Sequence, residues 1–347
     1  MKDKRVALAM SGGVDSSLSA RLLMEAGYDV CGVTFLVHHD PAMTPPSVGA
    51  EAVCRSLTIP LTVLDIAEEF AAAIKANFVA EYAAGRTPNP CVICNRMIKF
   101  PYLLRFADEV GCGRAATGHY ARLIRCGSRI AVAKAADPLK DQSYMLWQLP
   151  QETLSRLVFP LGEYTKEQVR QMAQAAGIPG AKTKDSQDIC FIPHGDYTKF
   201  LAEAGMDLTP GQFVDENGNV LGQSKNQACY TVGQRRGLGI ALGRHMFVTA
   251  RDAERNRVTI SPEDPYGKTV YAEDVRYMAA APGDLDSPRR LSVKLRYTRA
   301  EFPCTAVVDG DRLRVDLDEP ARAPSPGQSL VLYDGDAVVA GGVITLA

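Results

Sequence analysis

Ser11-Gly12-Gly13-Val14-Asp15-Ser16-Ser17 stands between a short apolar run, Val6 to Met10, and a helix-patterned stretch, Leu18 to Ala26. A glycine-rich turn at a strand-to-helix junction leaves backbone amides bare at the positive end of a helix, where they can hold a polyphosphate. A Walker loop would end in Gly-Lys-Ser/Thr and send its lysine to the β- and γ-phosphates. No lysine stands here; three hydroxyls and one carboxylate surround two glycines instead. The stretch predicts a nucleotide site of non-Walker type at the start of an α/β fold. The alternative, an ordinary turn capped by serine, does not explain why the loop sits between a strand pattern and a helix pattern.

Outward from this loop, strand and helix patterns alternate in the doubly wound manner. Gly27 closes the first helix and Val30 to Leu36 reads as the second strand. Ala50, Val53, Cys54 and Leu57 recur at helical spacing, Leu61 to Ile66 is strand-like, and Phe70, Ile74, Phe78 and Tyr82 mark a long helix. Arg114 to Gly118 supplies another parallel strand, so Gly118, His119 and Tyr120 should face the same crevice as the loop. Ala121 to Cys126 and Arg129 to Lys134 read as a hairpin appended to that sheet. Thr165 opens a helix with Gln168 at capping-box spacing, and Gly177 closes it. Beyond Asp196 the helical periodicity fades, and turn pairs such as Asn217-Gly218 and Asp334-Gly335 separate short β-rich runs. The tail strands, Leu291 to Tyr297, Thr305 to Val308, Arg312 to Leu317, Ser329 to Tyr333 and Val338 to Thr345, suggest a small closed barrel. Three units are expected, at about 1–197, 198–264 and 265–347 of the 347 residues.

Hydrophobic content of 46% and charged content of 23% describe an ordinary globular chain. The five-residue apolar run after the basic N-terminus is too short for a signal peptide, and no segment approaches the roughly 18 apolar residues of a membrane span, so a cytoplasmic protein is expected. A net charge of -1 means that any nucleic-acid face must be local. Two basic clusters qualify: Arg289, Arg290, Lys294, Arg296 and Arg299, with no acid among them, and Arg235-Arg236 in a glycine-rich loop. For each the competing reading is a solvated face.

Nine cysteines without a secretory signal argue against a disulfide framework. Cys31, Cys54, Cys112, Cys126, Cys229 and Cys304 read as structural thiols. Cys91 and Cys94 differ, because Thr87-Pro88-Asn89-Pro90 before them predicts a stiff exposed loop rather than a helix. A redox pair and half of a zinc site are the general readings of Cys-x-x-Cys, but no second Cys-x-x-Cys completes a zinc site. Cys190 lies between Ile189 and Phe191, with Lys182 and Lys184 upstream expected to favour its thiolate. Lys140-Asp141-Gln142 reads, taken alone, as a polar loop. His38-His39 reads as surface.

The loop Ser11 to Ser17 resembles the PP-loop of the N-type ATP pyrophosphatases, which cleave ATP between the α- and β-phosphates. The ordered set SGGVDSS (11–17), TPNPCVICN (87–95), ATGHYAR (116–122), KDQSYML (140–146), KDSQDICFI (184–192), YTVGQRRGLGI (230–240) and DEPARAPSPGQ (318–328) resembles the tRNA-specific 2-thiouridylases, nearly end to end. These put sulfur on C2 of the wobble uridine. The resemblance implies a doubly wound PP-loop domain, a small central domain and a C-terminal antiparallel β-barrel. Ala9, Met10, Ser11, Gly12, Gly13, Val14, Asp15 and Ser16 would then bind ATP, with a magnesium ion offsetting the missing lysine and Asp15 needed for turnover. Phe35 and Gly118 would line the adenosine pocket. Asn89, Pro90 and Cys91 would meet the base, and His119, Lys140, Asp141, Gln142, Arg296, Tyr297 and Gln328 would touch tRNA.

For the thiols the resemblance leaves two readings. In one, Cys91, Cys94 and Cys190 ligate three irons of a [4Fe-4S] cluster. In the other, Cys94 is the nucleophile and Cys190 carries a persulfide. The implied partners are the tRNAs for Lys, Glu and Gln and a sulfur donor such as a cysteine desulfurase or relay protein. The chain departs from the family in a shortened segment between Phe35 and Glu51, in Gly222-Gln223-Ser224-Lys225-Asn226, which lacks the usual histidine and second glycine, and in Cys91, where many relatives have aspartate. Two alternatives stay open: a PP-loop enzyme that adenylates a small-molecule carbonyl for nitrogen addition, and a catalytically silent tRNA-binding paralogue.

Overall fold

A computed structural model describes residues 4–39, 45–178, 189–192, 195–298 and 300–345. Lys182, Lys184, Arg299 and part of the shortened segment lie outside the described residues. Strand β1 (Arg5–Ala9) leads through the glycine loop into α1 (Val14–Glu25), followed by β2 (Asp29–Leu36), α2 (Pro46–Leu57) and β3 (Leu61–Asp65). Next come α3 (Ala67–Phe70), a π-turn over Ala71–Lys75 and α4 (Ala76–Ala83), which run on as one rod; Phe70, Ile74, Phe78 and Tyr82 are buried along it at the expected spacing. Then follow α5 (Pro90–Cys94), a second π-turn over Asn95–Lys99, α6 (Phe100–Glu109) and β4 (Arg114–Ala116). After a hairpin, β5 (Arg122–Cys126) and β6 (Arg129–Ala133), come α7 (Gln151–Leu154), β7 (Leu157–Val158), α8 (Lys166–Ala175) and α9 (Tyr197–Glu203).

The parallel sheet has the order β3-β2-β1-β4-β7. Alternation along β1 decides what covers each face: Val6 and Leu8 pack with Ala20, Leu23, Val53 and Cys54 of α1 and α2, whereas Ala7 packs with Phe100, Leu103 and Phe106 of α6. Chain order reverses between β1 and β4, so the crevice beyond their carboxyl ends is the natural ligand position. The α8 capping box forms as the sequence predicts.

The hairpin β5–β6 is placed differently from expectation. Ala133 pairs with Ala337, so the hairpin extends the C-terminal sheet instead of the parallel one. Its buried Ala131 and Val132 share a core with Trp147, Val331 and Tyr333, which gives it more apolar cover there than at the edge of the parallel sheet.

A four-stranded sheet follows, ordered β10-β11-β8-β9, from β8 (Gly211–Val214), β9 (Val220–Ser224), β10 (Phe247–Asp252) and β11 (Arg257–Ser261). The C-terminal strands are β12 (Tyr266–Tyr277), β13 (Arg289–Lys294), β14 (Phe302–Asp309), β15 (Arg312–Arg322), β16 (Ser329–Asp334) and β17 (Ala337–Thr345). They pair antiparallel in the order β12-β15-β14-β13-β16-β17, and β17 closes on β12. The closed barrel is as predicted, except that β12 was not legible as a strand in the sequence.

Trp147 and Tyr144 seal the seam between the barrel and the N-terminal unit. The indole Nε1 donates to Ser329 Oγ at 2.9 Å, and the Tyr144 hydroxyl donates to the Ser329 carbonyl at 2.8 Å, all three residues being buried. Ser329→Ala strands the indole N–H in the core, and a loss of about 1–3 kcal/mol is expected. Urea unfolding checks this: a lower midpoint at unchanged slope is the expected result, and an unmoved midpoint would show that the seam does not depend on this bond.

Candidate active site

Helix α1 begins without a side-chain cap. Gly13 occupies the N-cap position in extended conformation, and no side chain accepts from the first-turn amides. The turn is tight because Gly12 has φ +74° and lies against Gly49 of α2, where an added Cβ would sit 2.6 Å from backbone atoms. Ser11 and Ser16 hydroxyls face each other at 3.2 Å. The Ser17 hydroxyl is turned away from any ligand: it is fully buried and donates to the Gly13 carbonyl at 2.8 Å, so the loop presents two hydroxyls rather than three. Val14 also points into the core, leaving only its backbone to the loop.

A cavity of about 440 Å³ opens beside this loop. Ala9, Met10, Ser11, Asp15, Ser16, Phe35, Gly118, His119 and Gln142 line it, and so do Pro90, Cys91, Cys94 and Cys190. Gly12, Gly13 and Val14 are not among the residues that line it. Gly118 comes so close to the loop that an added Cβ would lie 3.0 Å from the Asp15 and Ser16 backbone. Thr34, fully buried on the cavity wall, has a hydroxyl with no partner among the described residues. A buried polar group of this kind is costly unless a ligand or water satisfies it. Its β-branched side chain in a buried strand gave no sign of this in the sequence.

The thiols arrive from two elements. Cys91 and Cys94 are on α5, which is a helix and not the loop expected from its prolines. Pro90 occupies the first helical turn, where its missing N–H costs nothing, and Asn89 caps the turn by accepting from Val92 N at 3.4 Å. Cys190 is fixed through Phe191, whose ring packs against Phe70, Phe78 and Phe200 at 5.6, 5.5 and 5.2 Å. Surrounding apolar side chains raise all three thiol pKa values, that of Cys190 to about 11, which reverses the expectation of a favoured thiolate there. Lys99 is the opposing influence on all three. The π-turn Asn95–Lys99, whose bonds run from i to i+5, carries Lys99 round to Cys94, and nothing in the sequence marks that turn.

Among the described residues no three cysteine, histidine or carboxylate side chains are gathered closely enough to hold a metal ion. The three thiols share a cavity, but as placed they do not fit the cluster ligation.

The other expected contacts divide by burial. His119 lies on the cavity wall, stacked on Phe100 and paired with the Thr117 hydroxyl at 2.6 Å; burial first, then Lys99, pushes its pKa well down, so the imidazole is neutral. Asp141 is buried and takes bonds from Ala135 N, Ser143 N, the Ser143 hydroxyl and Lys294 Nζ, so it is an internal joint. Gln328 donates to the Thr87 carbonyl at 2.9 Å and holds the segment before α5. Arg296 donates to the Ala323 carbonyl at 2.8 Å, and Tyr297 is 46% exposed, its pKa raised first by burial and then by Asp141 and Cys91. Lys140 is half-buried after the Asp137 turn.

The basic stripe does not survive as a unit. Arg289 pairs with Asp334, Arg290 with Asp318, and Lys294 is buried against Asp141. The acids come from β16, from β15 and from the segment after β6, which linear spacing hides. Arg235 and Arg236 remain exposed and have no ion pair among the described residues. No helix of the described residues is long and apolar enough to cross a membrane. His39 pairs with Asp65 at the surface, as expected of a surface position.

Comparison with known proteins finds similarity along almost the whole chain. Residues 4–194 match the family described as tRNA methyl transferase HUP domain, residues 198–262 the tRNA methyl transferase PRC-barrel domain, and residues 267–344 the aminomethyltransferase beta-barrel domain. The tRNA-specific 2-thiouridylase MnmA of Lachnoclostridium phytofermentans is 42% identical over 98% of this chain and 99% of its own length. That of Syntrophotalea carbinolica is 43% identical over 99% of both. Among solved structures, a 4-thiouridine synthetase in complex with RNA and ATP covers 58% of the chain at 18% identity, with a TM-score of 0.40. With two-fifths of its residues shared along almost the full length of such relatives, the chain belongs to the tRNA-specific 2-thiouridylase family.

Proposed function

We propose that the protein thiolates C2 of the wobble uridine of tRNA at the expense of ATP. The observation that carries this is a single cavity bounded by an uncapped glycine loop on one side and by Cys94 and Cys190 on the other. A nitrogen-adding PP-loop enzyme has no use for thiols there, and a silent binding protein has no use for an open phosphate loop.

Uracil C2 is a poor electrophile, so its carbonyl oxygen first attacks the α-phosphorus of ATP and pyrophosphate leaves. The loop amides, with Ser11 and Ser16, receive the phosphates. Asp15, on the cavity wall, would hold the nucleotide's magnesium, which when bound offsets phosphate charge. Thr34 and Phe35 offer the adenosine a hydrogen-bonding group and an apolar wall. A persulfide formed on Cys190 by an upstream sulfur donor supplies the sulfur. The Cys94 thiolate attacks the inner sulfur of that persulfide, hydrosulfide departs and adds to C2, and AMP leaves. A Cys94–Cys190 disulfide remains, and a dithiol reductant must reopen it. Lys99 favours the thiolate that the apolar wall otherwise suppresses, and neutral His119 is able to accept or donate a single hydrogen bond at the wall. The base must leave its stack, a cost of about a few kcal/mol that tRNA contacts elsewhere offset.

Nucleoside analysis after incubation with unmodified tRNA, ATP and a persulfide donor tests the reading. 2-Thiouridine, AMP and pyrophosphate are expected; ADP and phosphate, or unmodified nucleoside, would reject it. The relay further predicts that Cys94→Ser and Cys190→Ser are inactive, while anaerobically prepared iron-free protein and Cys91→Ala still thiolate. Activity that requires iron and is lost in Cys91→Ala would restore the cluster reading.

Raised thiol pKa values predict slow alkylation of Cys190 by iodoacetamide at neutral pH, with the rate climbing toward pH 11, since only the thiolate reacts. A rate already saturated at pH 8, followed by peptide mass spectrometry, would contradict this. For tRNA, Arg235→Ala with Arg236→Ala should lower the salt slope of binding by somewhat under two units, about 0.9 per lost phosphate contact at most. Arg290→Ala, whose guanidinium is engaged by Asp318, should leave the slope nearly unchanged.

A further inference from the structure

The phosphate loop has no lysine of its own, yet the fold delivers one from 151 residues downstream. Lys166, the first residue of α8, is 6% exposed, and its Nζ lies 2.7 and 2.8 Å from the two carboxylate oxygens of Asp15. The Tyr120 hydroxyl donates to Asp15 Oδ1 at 2.7 Å. Three features hold Lys166 in place. The capping box starts α8 at Thr165, Lys166 N donates to Asp137 Oδ2 at 2.8 Å, and Val169 and Ala173 of α8 pack with Val14 and Leu18 of α1.

Asp15 lines the cavity and Lys166 does not, so the lysine acts on a ligand through the carboxylate. Oδ1 accepts two of these bonds and Oδ2 one, which leaves Asp15 with acceptor capacity unused. An unneutralised carboxylate at this position would stand next to a triphosphate, and like charges at such range repel strongly in a partly desolvated site.

We propose that Lys166, with Tyr120, is a positioning residue that fixes and neutralises Asp15, so that the loop accepts an anionic polyphosphate before any metal arrives. It does from α8 what the lysine of a Walker loop does from within the loop, though at one remove. This rests on the nucleotide site proposed above.

The test compares wild type with Lys166→Met, Lys166→Arg, Asp15→Asn and the double variant Lys166→Met/Asp15→Asn, by equilibrium binding of ATP in EDTA at low salt, alongside thermal unfolding. Lys166→Met should bind metal-free ATP about tenfold more weakly, the gap narrowing as salt rises. Lys166→Arg should bind within about threefold of wild type, because it keeps the charge. The double variant should also return to within about threefold, since the site is again neutral, while releasing no pyrophosphate. A purely structural lysine predicts the opposite order, with the double variant no better than the single.

Asp15→Asn, which keeps the lysine's charge, should bind metal-free ATP at least as well as wild type; this arm holds even if Lys166→Met fails to fold. Weaker binding by Asp15→Asn, or a double variant that does not recover, overturns the proposal. A wild-type chain that binds no ATP, with or without magnesium, overturns the nucleotide reading itself, an outcome distinct from loss of the lysine's effect alone.

Discussion

Lys294 and Asp141 meet 3.0 Å apart in the joint between the barrel and the catalytic unit, with side chains 7% and 4% exposed. Neither charge can be left alone there, since removing one partner of a buried pair costs about 3–5 kcal/mol. The pair therefore fixes where the segment after the hairpin must lie. Asp141 also holds the backbone at Ala135 and Ser143, and its neighbour Gln142 then clasps Tyr120 from both sides, accepting from Tyr120 N at 2.9 Å and donating its own N–H to the Tyr120 carbonyl at 2.8 Å. Tyr120 in turn reaches Asp15. A continuous run of hydrogen bonds thus ties barrel strand β13 to the phosphate loop. The hairpin β5–β6 crosses the same joint, so the barrel is part of the scaffold that shapes the site.

The cavity handles charge in two different ways at its two ends. At the loop end, uncapped amides stand beside an Asp15 that is ion-paired with Lys166, which under the proposed function suits the arrival of an anion. At the sulfur end, the apolar wall raises the thiols, and Lys99 is set against that tendency. The contrast suits the proposed order of events. Thiols that stay protonated do not react before the base is activated, and the lysine keeps the cost of forming a thiolate from becoming prohibitive.

How much of this was legible depended on whether a feature is local. The glycine loop and the α8 capping box are each set by a few neighbouring residues, and each could be read directly. The Pro90 helix start was misread because two nearby prolines were weighed as helix breakers, although one of them occupied the first turn, where proline is tolerated. The hairpin was assigned to the wrong sheet because pairing partners 204 residues apart, Ala133 and Ala337, leave no trace in spacing. The basic stripe failed for the same reason. Its counter-ions Asp334, Asp318 and Asp141 lie on other segments, so five cations without an intervening acid turned out to include three paired ones. Lys166 and Lys99 went unseen because one crosses 151 residues and the other depends on a π-turn.

The segment before α5 shows why the residues expected to touch tRNA are not interchangeable. Its backbone has few neighbours of its own element to bond with, so the other two units hold it. The Thr87 N–H donates to the Pro326 carbonyl at 2.8 Å, and Gln328 grips the Thr87 and Pro88 carbonyls. From the other side Arg251 donates to the Gly85 carbonyl at 2.7 Å and the Thr87 hydroxyl at 2.9 Å, with another bond to the Tyr230 carbonyl. Arg251 is largely enclosed, and that enclosure lowers its pKa, but a guanidinium stays charged in a protein, so its two terminal nitrogens are spent on these carbonyls and the Thr87 hydroxyl. Asn89 and Pro90 therefore stand on a strap pinned by the barrel and by the central sheet together. Under the proposed function, the tRNA base would meet Cys91 and Cys94 on a segment whose position these two units have already set.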